Sequence, residues 1–410
     1  MRSQPYAFHV GLDGNGLNGQ EGHGGVCALW YDPKDGSYEF DVRFYEGVAS
    51  GHAVSVNPAR TIGFLGNFGQ QLLFYDAKTL DEVDRISTLR FEPNDTTIRG
   101  STHLVWLDDH KFITAIGDYL YHFDVRNLGK GERLGPHEVK IPHAMKLSRS
   151  KKYLCYGSID HPTRGEAKEV GLWDVARARA TRIELPTTCW HLAQHRTEDL
   201  FYPVSFRVHP ADGENYHQWG IAFFKQYAYE LEAGSGTVLR HWTAHRTFPA
   251  HLSSDVCMSD SELIFCAPAS HAIVFIELAS FARTRILDHK PGALSLLRSS
   301  RQIGSDIFES LTRGSFFSQF HQLMAATEIT RFTLLDGTYA CQLSADQSLL
   351  FTAHRGLNRL VIYDYPSNEE RLVVDLPPLQ RFFPILGRMA DPRLGLHHGY
   401  LLSKPRAELV

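Results

Sequence analysis

"VGLWD", residues 170–174, is an apolar and aromatic run that ends in an acidic residue, and runs of this kind recur along most of the chain. Such a run predicts a buried β-strand, and the acidic residue predicts a turn directly after it. Seven runs occur, and they end at Asp32, Asp76, Asp124, Asp174, Glu230, Glu277 and Asp364. Their separations of 44, 48, 50, 56, 47 and 87 residues indicate a structural repeat with an insertion in the last interval.

A repeat of about 40 to 50 residues is typical of the four-stranded blades of a β-propeller. We therefore predict an all-β, seven-bladed β-propeller that forms a single domain over residues 1–410, with six or eight blades as alternative counts. The segment "LGLHHGYLLS" at 394–403 is predicted to complete the first blade, because propellers close their ring with a strand from the opposite terminus. Leu, Ile and Phe spaced three and four apart predict a helical insertion at 291–328, a candidate lid.

Composition excludes several classes of function. The formal net charge is -4 and no block of Lys and Arg occurs, so nucleic acid is not expected as a partner. No apolar run reaches 18 residues and the N-terminus lacks a signal sequence, which predicts a soluble cytoplasmic protein without membrane contact. Six scattered cysteines predict buried free thiols. We expect a small-molecule substrate, and the oligomeric state stays open.

Histidines open four successive units, in "GHAVSV", "THLVWL", "PHAMKL" and "WHLAQH". Aligned on the acidic residues, His52, His103, His143 and His191 occupy one register of the strand that lines the central channel of a propeller. Neutral imidazole is the commonest protein ligand for transition metals, and four convergent rings add no charge to the ion. These residues therefore predict a site for one divalent ion, with Fe(II) preferred and Mn, Zn, Cu or Ni as alternatives.

Further residues are candidates for the chemistry around that ion. Tyr339 and Asp118 are predicted as catalytic groups that move a proton, because both side chains exchange protons and lie near predicted strand ends. His251, Gln342 and His195 are predicted to lie near the metal or the substrate. No nucleophile elbow and no phosphate-binding Walker loop occurs, so serine hydrolase and nucleotide hydrolase functions lose their main support.

Two resemblances lead to different functions. "GH" at 51–52 and "WD" at 173–174 resemble the signature of WD-repeat propellers, which implies structural histidines and a scaffold that binds a partner protein without a cofactor. Four histidines from separate blades resemble the iron site of carotenoid cleavage oxygenases, and "GLHHGYLL" at 395–402 is similar to a late His-Gly segment of that family. Selenium-binding proteins and oligogalacturonate lyases also have channels lined by histidines.

The second resemblance implies a metalloenzyme centred on the channel. We expect it to act on a small apolar or aromatic molecule as an oxygenase or oxidase, in preference to a lyase, isomerase or hydrolase.

Overall fold

A computed structural model of the protein describes the repeated sheets and most of their turns. The described ranges are 5–13, 24–48, 51–67, 69–94, 101–159, 161, 164–205, 225–245, 253–267, 272–288, 338–355, 358–376 and 395–403. The predicted helical insertion at 291–328 lies outside the described residues.

The described residues form seven antiparallel sheets of four strands each, which confirms the predicted all-β, seven-bladed propeller. The innermost strands are β4 (Gly51–Val56), β8 (Leu104–Trp106), β12 (Ile141–Leu147), β16 (His191–Gln194), β20 (Val256–Met258), β24 (Thr338–Leu343) and β28 (Gly395–Ser403). The second strands are β1 (Tyr6–Asp13), β5 (Ile62–Asn67), β9 (Lys111–Ile116), β13 (Tyr153–Ile159), β17 (Leu200–Val204), β21 (Glu262–Ala267) and β25 (Leu349–His354).

The two outer positions of each sheet follow the same order along the chain. The third strands are β2 (Gly25–Tyr31), β6 (Gln71–Asp76), β10 (Tyr119–Asp124), β14 (Glu169–Asp174), β18 (Lys225–Glu232), β22 (Ala272–Glu277) and β26 (Arg359–Asp364). The fourth strands are β3 (Tyr38–Phe44), β7 (Glu82–Ser87), β11 (Glu132–Pro136), β15 (Arg179–Glu184), β19 (Val238–His245), β23 (Ala282–Asp288) and β27 (Glu369–Asp375). The fourth strands are the most exposed.

The innermost strands contact one another in a closed ring around the central channel. The ring is closed where β28, from the C-terminal end of the described residues, pairs antiparallel with β1 from the N-terminal end. The prediction that "LGLHHGYLLS" completes the first blade is therefore confirmed. We number the sheets from this closing sheet, so that the second sheet contains β4 and the seventh contains β24.

The acidic residues that reveal the repeat lie at or near the ends of the third strands. The Asp76 carboxylate accepts hydrogen bonds from the backbone N–H groups of Lys78 and Thr79, at 2.9 and 2.8 Å. A short acidic side chain can satisfy the backbone of a turn in this way, which explains why the same residue type recurs where the chain must reverse.

The core is divided into seven apolar clusters among the described residues, each lying between two neighbouring sheets. Between the second and third sheets, for example, Phe74 packs against Trp106 and Phe112 with ring centroids 6.2 and 5.3 Å apart. Burial of one such side chain stabilises the fold by roughly 2 to 3 kcal/mol. Since every sheet is packed on both faces, the positions of the innermost strands are fixed by their neighbours.

Helical structure in the described residues is limited to two 3₁₀ helices, Thr88–Arg90 and Val125–Asn127. Across the part of the chain that the structure describes, no helix has the length and apolar character needed to span a membrane.

Candidate metal centre

Six histidines meet where the innermost strands of five sheets begin. We call this set the histidine cluster, and its members are His52, His103, His143, His191, His397 and His398. Five are almost fully buried, with at most 4 % of their surface exposed, and His103 is partly exposed. The predicted convergence of imidazoles from neighbouring blades at the channel is therefore present.

Four members of the cluster are close enough to hold a metal ion. One ring nitrogen each of His52, His103, His143 and His398 lies within 4.8 Å of the others. The Nε2 atoms of His52 and His143 are 3.1 Å apart. Two neighbouring nitrogens bound to one ion at about 2.0 to 2.1 Å lie roughly 2.8 to 3.4 Å apart in octahedral or tetrahedral geometry. The spacing of this pair therefore fits neighbouring ligands of one ion.

The predicted set differs from this group by one member. His52, His103 and His143 belong to it, and His398 is the fourth member in the position that the prediction gave to His191. His191 still belongs to the cluster, because its Nε2 lies 3.0 Å from Nε2 of His398 and its ring centroid 5.1 Å from that of His143. Its predicted role as a ligand stays a prediction.

The four predicted histidines face equivalent positions of the second strands, but they lie at two different distances from their hairpins. In two sheets the histidine lies five residues before the residue whose backbone N–H closes the hairpin to the second strand, His52 before Asn57 and His143 before Ser148. In two others it lies four residues before that residue, His103 before Leu107 and His191 before His195. Adjacent positions on a regular strand point to opposite faces, so the offset has to be compensated locally.

β-Bulges provide that compensation in the second and fourth sheets. His52 and its neighbour together face Gly66, and His143 and its neighbour together face Gly157, so that two residues oppose one. A bulge of this kind re-aims side chains. In the fifth sheet the strand that begins with His191 pairs without a shift. The bulges therefore bring histidines from two adjacent registers to one place.

The closing sheet has the same device at the same position. Its register shifts between Val10 and Leu12, so that His397 and His398 together face Gly11. Both neighbours can therefore join the cluster, and their ring centroids are 4.4 Å apart. The ring of His397 also lies 3.9 Å from that of His52 in the next sheet.

Glycines opposite the bulges allow the next sheet to approach. A Cβ atom on Gly11 would lie 2.7 Å from the carbonyl oxygen of His52, and one on Gly66 would lie 1.8 Å from that of Thr102. On Gly157 it would lie 2.2 Å from the carbonyl oxygen of Trp190. Each contact is too short for any side chain, so glycine is required where the strand start that carries the next histidine packs.

Thr102 connects two rings of the cluster. Its Oγ1 lies 3.0 Å from Nδ1 of His103 and 3.2 Å from Nδ1 of His143. A hydroxyl has two lone pairs and can accept both Nδ1–H groups, which leaves Nε2 of both rings unprotonated. Contacts of this kind orient metal-binding histidines and fix their tautomer.

Burial and mutual repulsion keep the cluster uncharged. Burial, and then the neighbouring rings, hold the pKa of His143 and of His398 well below the usual 6.5. Burial lowers the pKa of His191 to about 3. The rings are therefore neutral near pH 7, and their lone pairs are free of protons. Nδ1 of His397 and of His398 has no hydrogen-bond partner among the described residues.

Two further predicted residues lie beside the cluster. The Tyr339 ring lies 4.4 Å from that of His397 and 5.2 Å from that of His398, measured between centroids. Nε2 of Gln342 donates a hydrogen bond to the Asp255 carboxylate at 2.9 Å. The position of Tyr339 agrees with the place predicted for it, and its catalytic role stays a prediction.

Two predicted residues are not among the contacts of the cluster, and a third lies outside the described residues. Asp118 lies in the exposed turn between β9 and β10 and pairs with Arg164 at 2.9 Å. His195 follows β16, where its Nδ1 accepts a hydrogen bond from the backbone of Glu198 at 3.0 Å. His251 lies outside the described residues. The roles predicted for these three residues stay predictions.

The sequence interpretation missed Asp255, a buried carboxyl beside the cluster. Its oxygens accept hydrogen bonds from Gln342 and from the backbone N–H groups of Val256, Cys341 and Gly399, at 2.9 to 3.4 Å. Burial raises the pKa of Asp255 to about 6, although the positive charge of a nearby lysine and these hydrogen bonds act to lower it. In the sixth sheet, Asp255 occupies the strand position that His103 occupies in the third sheet and His191 in the fifth.

A cavity of about 370 Å³ lies along the channel next to the cluster. Its inner end is formed by His103, His191 and His398, and its wall includes Asp255 and Lys146. Cavities of roughly 300 to 1,000 Å³ are usual for small-molecule sites. The cavity can therefore admit a small molecule to three imidazoles of the cluster.

Comparison with models of known protein families gives no match for this chain, and comparison with curated proteins gives none either. The resemblance to particular propeller enzymes therefore has no support from related sequences. The fold and the histidine cluster are the features from which a function has to be argued.

Proposed function

We propose that this protein is a metal-dependent enzyme that binds one divalent ion through His52, His103, His143 and His398 and acts on a small molecule in the adjoining cavity. The observation that carries the proposal is the approach of four imidazole nitrogens, from four different sheets, to within 4.8 Å of one another. Separate rigid strands suit such a site because their packing holds each ligand in place.

The donor set suits several transition-metal ions. Imidazole nitrogens bind Fe(II), Zn, Cu and Ni well, and Mn less well. Because the four rings are neutral, a bound ion keeps its full charge, with which it can polarise a substrate oxygen or activate dioxygen. We propose Fe(II) first and an oxidase or oxygenase reaction, with lyase, isomerase or hydrolase chemistry as the alternative for the same site.

Access from the cavity supports a catalytic ion in preference to a purely structural one. Structural sites are closed by protein ligands, whereas catalytic sites keep a position open for water or substrate. Here His103 and His398 belong to the four candidate ligands and also line the cavity. A molecule in the cavity can thus approach the ion from one side, while the buried sides of His52 and His143 exclude water.

The proposal is tested first by metal analysis of the purified full-length chain. We expect about one equivalent of a transition metal, which His143→Ala should remove. The matched control is His354→Ala, because His354 is equally buried and hydrogen-bonds to the side chains of Thr338 and Thr352. This control should lower the melting temperature and leave the metal content unchanged.

Two outcomes would contradict the proposal. A folded parent protein that holds no metal after supply of Fe(II), Mn, Zn, Cu and Ni salts would favour the scaffold function without a cofactor. Retention of the metal by His143→Ala would place the ion elsewhere. Turnover is then tested with the loaded protein, as loss of candidate substrates that depends on His143.

A further inference from the structure

The wall of the cavity beside the cluster contains a partly buried cation, Lys146. Lys146 lies on β12. It stands two residues, roughly 7 Å along the strand, from the level at which His103 and His191 lie. Its charge interacts with both of these rings and with Asp255.

At the height of Lys146 along the channel, the other innermost strands carry no charged residue. All seven innermost strands are described at this level, and their residues there are Ser55, Val105, Lys146, Ala193, Cys257, Gln342 and Tyr400. Lys146 is the one charged side chain of this set. Because Lys146 is partly buried and part of its solvation is lost, its ammonium favours an anionic partner.

Neighbouring protein groups do not supply that partner at close range. Among the described residues, the Lys146 ammonium makes no ion pair within 4.0 Å and no hydrogen bond. The Asp255 carboxylate, the one acidic group among the described residues of the cavity wall, is already bonded to Gln342 and to three backbone N–H groups. As far as the described residues extend, Lys146 is thus available to a molecule that enters the cavity.

The outer part of the cavity is also cationic. Its wall includes the exposed residues Arg149 and Lys151, so that, among the described residues of the wall, three lysine and arginine side chains stand against the carboxylate of Asp255. A cleft lined by one sign of charge raises the local concentration of oppositely charged ligands. The field of the cavity therefore favours entry of an anion towards the cluster.

We infer that the cavity binds the anionic oxygen group of a small molecule, a carboxylate or a phosphate, with Lys146 as the residue that recognises it. The inference rests on the proposed function for the identity of the reacting centre and names the substrate class of that same site. A volume of about 370 Å³ restricts the molecule to a small metabolite. The apolar or aromatic substrate expected from the sequence stays a prediction, and the inference adds an anionic oxygen group to it.

Binding of three probes tests the inference: acetate, inorganic phosphate and uncharged acetamide, followed by NMR line broadening with zinc-loaded protein. We expect acetate or phosphate to bind and acetamide, which has the shape of acetate without its charge, to bind at least tenfold more weakly. Lys146→Met should weaken binding of the preferred anion at least tenfold, and Lys146→Gln should do the same if the first variant folds poorly. Whichever of acetate and phosphate binds more tightly identifies the anionic group as a carboxylate or a phosphate.

The control is Lys151→Met at the outer end of the cavity, where Nζ of Lys151 bonds to the carbonyl oxygen of Leu107 at 3.0 Å. It should change the anion affinity less than threefold. Equal binding of acetate and acetamide, or undiminished binding by Lys146→Met, would overturn the inference. The same titration of metal-free protein separates the two proposals, because anion binding that depends on Lys146 without any metal uptake would refute only the metal site.

Discussion

Replacement of Gly66 by alanine should damage the metal centre without touching any candidate ligand. The new Cβ atom would lie 1.8 Å from the carbonyl oxygen of Thr102, whereas such atoms stay at least 3.0 Å apart. The start of the next innermost strand therefore has to retreat by about 1.2 Å. His103 directly follows Thr102, and metal sites tolerate ligand shifts of only about 0.2 Å. We expect metal affinity to fall by about 10- to 100-fold and stability to fall by about 1 to 3 kcal/mol.

The assay is competition for the metal with a chromophoric chelator, together with a thermal melt of the metal-free protein. Gly234→Ala is the control, because a Cβ atom there would come no closer than 3.8 Å to another group, the Tyr153 hydroxyl. It should match the parent in both measurements. Parental metal affinity in Gly66→Ala would refute the argument that close packing between sheets positions His103.

Two further predictions concern side chains around and away from the cluster. Thr102→Val keeps the shape of the side chain but removes the oxygen that the rings of His103 and His143 share. Metal affinity, measured by chelator competition, should therefore fall about 10- to 100-fold while the fold is kept. An unchanged affinity would contradict a role for the shared contact. Burial lowers the pKa of His9 and of His354 to about 3, below the 6.5 of the unfolded chain, so the unfolded state binds more protons between these values. The contribution of these two histidines to the stability of the metal-free protein is therefore fully present above pH 6.5 and is lost as the pH falls towards 3, by about 1.4 kcal/mol per pH unit for each histidine. His354→Gln should remove one such contribution from the slope of unfolding free energy against pH, and an unaltered slope would contradict it.

The blade pattern could be predicted from the sequence because each blade repeats a local chemical need. A third strand buried on both faces needs an apolar run, and the turn after it needs a short acidic side chain such as Asp76 or Asp124. Both requirements lie within a few neighbouring residues. The strand that closes the ring could be predicted for a related reason, since an unpaired sheet edge needs a partner.

The bulges beside His52 and His143 could not be predicted in the same way, because a bulge leaves no periodic pattern in the sequence. His52 and His103 look equivalent when strands are aligned on their histidines, although the hairpins place them one residue apart. The available signal was the glycine in the facing strand, Gly66 or Gly157, which marks both the bulge and the approach of the next sheet.

Two members of the cluster were hidden by the topology of the ring. His397 and His398 lie far along the chain from the other histidines, and only closure of the ring brings them beside His52 and His191. The pair was visible in "GLHHGYLL", but a strand that completes a blade gives no indication that two adjacent side chains face the channel together. Asp255 was missed because its innermost strand contains no histidine in the described residues.

Ring closure and metal binding are coupled by this arrangement. His398 is on the strand that seals the ring, whereas His52, His103 and His143 are on sheets that complete themselves from neighbouring sequence. An ion that binds all four rings therefore binds only the closed propeller, and its binding free energy adds to the stability of the closed state by mass action. In the metal-free protein, the closed ring lacks the stabilisation that the binding free energy of the ion would add. The closing sheet is thus the part of the fold whose stability should respond most to the ion, since the contact between β28 and β4 carries both the apolar packing of the ring and the ligand from its last strand.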